Sequence, residues 1–96
     1  MLTGEINLRD PFILPYGNKY YMYGTEVSLG GYLSVYTSED LINWTEPKVI
    51  FERPNVFPSD SVFLSPEVYN INDKFYLFFT LSSNQLINSL WVLCSD

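Results

Sequence analysis

Apolar and polar positions alternate along this chain in short runs, and no stretch holds a helical period. Residues 11–14 are followed by the turn-rich cluster Tyr16-Gly17-Asn18-Lys19 and then by Tyr20-Tyr21-Met22-Tyr23, which predicts a β-hairpin. Ser28-Leu29-Gly30-Gly31 breaks the pattern before a third strand at 32–37. Ser38-Glu39-Asp40 opens a short turn that runs through Leu41 to Trp44, and a fourth strand is expected at 48–51. Pro54 and Pro58 mark 53–61 as a linker. The expected class is all-β.

The pattern then repeats. At an offset of 55 residues Pro11 falls on Pro66, Ile13 on Val68, Lys19 on Lys74, Tyr20 on Phe75, Tyr21 on Tyr76, Met22 on Leu77, Tyr23 on Phe78 and Thr25 on Thr80. After a two-residue insertion, "LSVYTS" at 33–38 meets "LWVLCS" at 90–95. A four-strand unit recurring at such a period points to a β-propeller or a related array. Both faces of "KYYMYG" and "KFYLFFT" are apolar, so both faces of each sheet want a cover, which blades stacked around an axis supply. A β-sandwich core is the competing reading of the same pattern. The chain thus divides into blade 1 at 9–52, the linker at 53–61 and an incomplete blade 2 at 62–96, together one partial propeller domain over 1–96. Its second repeat stops after three strands, so we expect the N-terminal part of a larger protein, with an open strand edge and an uncovered apolar face.

Composition narrows the chemistry. With 96 residues there is room for one domain of ordinary size, and 47% apolar residues provide for a core. The net charge of −6 lacks the basic footprint that nucleic acid requires. There is no histidine, which removes histidine-based triads and histidine-containing zinc sites. Cys94 is the only cysteine, so no internal disulfide forms, and it is expected as a small apolar core residue. No signal-peptide pattern and no membrane-length apolar run is present, so the expectation is a cytoplasmic chain without a membrane partner.

The candidate chemistry centres on Asp10, a carboxylate locked to Pro11 at the head of a buried strand. Asp-Pro is a common turn, because aspartate caps local backbone donors and proline bars helix entry. The functional reading is an acid held at the mouth of a site. Arg9 is either its charge partner, a donor to substrate hydroxyls, or a surface residue. Ser65 occupies the position equivalent to Asp10, and Glu67, two residues on, shares its strand face. Glu67 is therefore a candidate substrate contact, against the alternative of a solvated strand end. Tyrosines and phenylalanines are expected between blades, and Trp44 and Trp91 in packing.

"RDPFILPYGNKYYMYGT", "YTSEDLINW" and "SPEVYNINDKFYLFFT", in that order, resemble the opening of glycoside hydrolase family 43, the arabinanases, β-xylosidases and arabinofuranosidases. The resemblance implies a five-bladed β-propeller, of which this chain carries the first blade and most of the second. It implies an inverting glycosidase that hydrolyses O-glycosidic bonds in arabinose- or xylose-containing polysaccharides or oligosaccharides. Asp10 then falls on the general base, and the Ser38-x-Asp40-Leu41-x-x-Trp44 turn is structural. The family's second blade usually opens with Trp-Ala-Pro-Asp or Trp-Ala-Pro-Glu, where this chain has Leu64-Ser65-Pro66-Glu67. Glu67 is not a catalytic carboxylate of the family by position. The aspartate that tunes the acid and the glutamate that protonates the leaving oxygen belong to later blades, so the 96-residue chain alone is expected to be inactive. No cofactor is implied; calcium occurs on the axis in some relatives, but no residue here points to it, and no metal ligand is assigned. Partners would be the saccharide substrate and either the remaining blades or further copies of the chain. Three alternatives stand beside this reading: a non-catalytic carbohydrate-binding or interaction module, an inactive remnant, and a retaining fructosidase of the invertase or levanase type.

Overall fold

The computed structural model describes residues 1–26, 32–52, 62–82 and 89–95. Seven strands form two antiparallel sheets: β1 (Leu8–Tyr16), β2 (Lys19–Glu26), β3 (Tyr32–Ser38) and β4 (Lys48–Glu52) in one, β5 (Val62–Ile71), β6 (Lys74–Ser82) and β7 (Ser89–Ser95) in the other. Each sheet is a meander in chain order, and β5 packs beside β1 and β2. This is the all-β, blade-on-blade arrangement expected. The proposed break at 28–31 and the linker at 53–61 lie outside the described residues. Among the described residues no helix is long and apolar enough to cross a membrane.

The repeat reappears as register. Tyr16 pairs with Lys19 in blade 1 and Ile71 with Lys74 in blade 2, so both hairpins close with two residues. Their turns differ. Gly17 alone has positive φ (61°) in the first, the signature of a II′ turn, whereas Asn72 and Asp73 both do (53° and 65°) in the second, as in I′. Both turns match the right-handed twist of the strands they join.

Packing follows the alternation. Leu33, Val68, Leu77, Phe79 and Leu81 are buried between the sheets, with Phe12, Leu14, Tyr23 and Phe51 of blade 1 packed around them. A smaller cluster, Met22, Tyr36 and Trp44, lies on the far face of blade 1 beside Ile6, Leu8 and Tyr20. The outer face of blade 2 is open: Leu90 and Val92 are 74% and 51% exposed. Cys94 is exposed and Trp91 is 41% exposed, which corrects their expected place in packing. Cys94 shares the open face with Leu90 and Val92, whereas Trp91 lies opposite Phe79 on the face turned toward blade 1 and is still part exposed.

The turn after β3 is self-contained. Asp40 Oδ1 accepts from the backbone N–H of Asn43 (2.8 Å) and Ile42 (2.9 Å) and from the Ser38 hydroxyl (3.1 Å), while Asn43 Nδ2 donates to Oδ2 (3.0 Å). These donors, the Asn43 backbone first, hold the carboxyl well below the usual carboxylate range. Thr3 clasps this turn: its hydroxyl donates to Leu41 O (2.7 Å) and accepts from Trp44 Nε1 (2.9 Å). The structural reading of the motif is thus what the hydrogen bonds display.

Candidate active site

Two equivalent bulges build the site. In β1 the ladder passes from Arg9↔Thr25 to Phe12↔Tyr23, so Asp10 and Pro11 together oppose Gly24. In β5 it passes from Leu64↔Thr80 to Glu67↔Phe78, so Ser65 and Pro66 oppose Phe79. Proline has no N–H to give a ladder, and a bulge is where a strand accommodates it. The first residue of each bulge is left-handed, with φ 54° at Asp10 and 51° at Ser65. Aspartate tolerates that region better than most residues; a serine there is less common. Gly24 is needed opposite the first bulge, because a Cβ would come within 2.9 Å of Leu8 Cδ1 and 3.3 Å of the Arg9 carbonyl oxygen.

The bulges meet where β5 lies against β1. Asp10, Pro11 and Phe12 with Ser65, Pro66 and Glu67 line one shallow cleft of about 160 Å³. Ser65 Oγ donates to Asp10 Oδ2 at 3.2 Å across the blade boundary. Asp10 is exposed. Glu67 is also exposed and accepts a hydrogen bond from the Tyr69 hydroxyl on Oε1. That bond, with burial and the Glu67 charge adding to it, pushes the Tyr69 phenol up from its ordinary value.

Arg9 is exposed and does not line the cleft. Asp10 and Glu67 are thus brought together, and Arg9 stands at the neighbouring strand position. Tyr69 was not among the residues singled out from the sequence. Its ring lies edge-on to Phe12 (5.8 Å) and Phe78 (6.0 Å), and its hydroxyl reaches Glu67. The signal available was the two-residue spacing from Glu67, which puts both on one strand face. Among the described residues no group of three or more Asp, Glu, Cys or His is placed to hold a metal ion.

The fold and this cleft can be set beside known proteins. The family model described as glycosyl hydrolases family 43 matches residues 3–96. The chain belongs to this family. It is 32% identical over 82 residues to the extracellular endo-α-(1→5)-L-arabinanase 1 of Bacillus subtilis (strain 168), an alignment covering 79% of this chain and 25% of that protein. The crystal structure of an endo-arabinase from Bacteroides thetaiotaomicron VPI-5482 superposes with a TM-score of 0.84 at 30% identity, covering 100% of this chain and 34% of that one. Native Bacillus subtilis arabinanase Arb43A superposes at 0.75 with 27% identity, covering 92% and 33%. This family 43 chain therefore spans about a quarter to a third of the length of these relatives.

Proposed function

We propose that the chain supplies the first blade and most of the second of an inverting glycosidase acting on arabinose-containing polysaccharide, with Asp10 as general base. The observation that carries the reading is the pair of equivalent bulges. The scaffold accepts serine at position 65, so the bulge itself does not require an acid, yet the cleft side of blade 1 carries one. The similarity to the arabinanases supports arabinan over xylan as the substrate class. Asp10 would take a proton from water as that water attacks the anomeric carbon, which needs an ionised carboxylate within hydrogen-bond reach. Glu67, aimed by Tyr69, would accept a sugar hydroxyl, and Arg9 would donate at the rim.

Inversion also needs an acid about 6.5–9.5 Å from the base, so the chain alone should not sustain turnover. The test is a chimera in which residues 3–96 replace the matching third of the Bacteroides endo-arabinase. Arabinan hydrolysis by the chimera should fall about 10²–10⁴-fold with Asp10→Asn. Activity that stays within ten-fold of the parent chimera refutes the assignment. A second reading, a self-associating saccharide-binding module, draws on the exposed outer face of blade 2. A discrete oligomer that binds arabinan in size-exclusion chromatography would favour it.

A further inference from the structure

We propose that Ser65 is a positioning residue for Asp10: its hydroxyl holds one carboxylate oxygen so that the other faces the cleft. The inference rests on the reading of Asp10 as general base. It starts from three facts. Positions 10 and 65 are equivalent in the repeat, both are left-handed, and each precedes a proline in a bulge. Because the bulges face one another, the equivalent side chains meet, with Ser65 Oγ 3.2 Å from Asp10 Oδ2.

An ionised carboxylate only accepts, so the serine must be the donor. A carboxylate held by nothing swaps its oxygens by rotation about a broad terminal torsion. A donor on Oδ2 narrows that rotation, leaving Oδ1 as the acceptor for a water in the cleft. Backbone economy alone does not account for a serine at this place. Glycine adopts φ 51° without the steric cost that serine bears, and asparagine tolerates it better. The hydroxyl is what those conformational preferences leave unexplained.

Substitution separates the two roles, because Ser65→Gly relieves the backbone while removing the donor. In the purified chain carrying ¹³C-labelled aspartate, the Asp10 side-chain carboxyl resonance is assigned by its loss in Asp10→Asn. Ser65→Gly and Ser65→Ala should move that resonance and leave those of Asp40 and Asp73 in place. Ser65→Gly should melt no lower than the parent, and Ser65→Asn, which offers an amide donor, should keep the resonance near its original position. An Asp10 resonance unmoved in both Ser65→Gly and Ser65→Ala overturns the proposal. In the chimera, Ser65→Ala should lower kcat about ten-fold with KM unchanged, and an unchanged kcat also overturns it. If instead Asp10→Asn leaves the chimera active, the base assignment fails. The carboxyl resonance then still decides the Ser65 contact by itself.

Discussion

Truncating Leu33 to alanine and Leu90 to alanine removes the same isopropyl group from equivalent positions of the repeat, yet the two losses should differ several-fold. Leu33 is 1% exposed and packs with Val68, Leu77, Phe79 and Leu81 between the blades. Leu90 sits on the open face of blade 2 and is 74% exposed. Leu33→Ala loses the transfer free energy of the side chain and leaves a cavity that a two-sheet core closes only in part, at about 2–5 kcal/mol. For a domain of this size that is a fall in Tm of roughly 10–25 °C. Leu90→Ala forfeits about a quarter of a leucine's burial, on the order of 0.5 kcal/mol. Urea unfolding followed by far-UV circular dichroism, with slopes compared to confirm a two-state transition, measures both. Losses equal within about 0.5 kcal/mol would refute the reasoning. They would mean that the outer face of blade 2 is covered in solution as fully as the inner one.

Gly24→Ala should destabilise by about 1–3 kcal/mol, because the new methyl meets Leu8 and the Arg9 carbonyl behind the Asp10 bulge; thermal melting checks it. For Asp40, the folded-state carboxyl lies below its unfolded value, so its contribution is complete above about pH 4 and is lost as pH falls. The Tm gap between the parent and Asp40→Asn should therefore be constant near neutrality and shrink in acid; a gap that widens in acid refutes the assignment. Thr3→Val removes the acceptor of Trp44 Nε1 and the donor to Leu41 O, and should cost about 0.5–1.5 kcal/mol with a change in Trp44 emission. Glu67→Gln should bring the Tyr69 phenol back toward its ordinary value, read as an earlier tyrosinate absorbance in alkaline titration.

The hairpins, the repeat and the sheet class were legible because they are local: alternation, turn residues and a constant offset need no knowledge of what packs where. The bulges were not. Pro11 marks the start of the expected strand at 11–14, but β1 runs from Leu8 to Tyr16 and takes the proline into the irregularity. A proline in a strand signals either a boundary or a bulge, and only the partner strand decides between them. Cys94 shows the same limit from the other side. Its sequence neighbours resemble core, but alternation names the face a side chain points to and not whether a sheet covers that face.

The site divides along the same line. By itself the sequence determined that a carboxylate precedes a proline at position 10, that a serine takes the equivalent place at 65, and that Glu67 lies two residues beyond it. Tertiary structure alone decided that these groups share one cleft, that Ser65 donates to Asp10, and that Tyr69 holds Glu67 while Arg9 lies outside. The physical reason is distance along the chain. Strand pattern comes from neighbours two residues apart, whereas the contact between positions 10 and 65 exists only once the inter-blade core has brought β5 against β1.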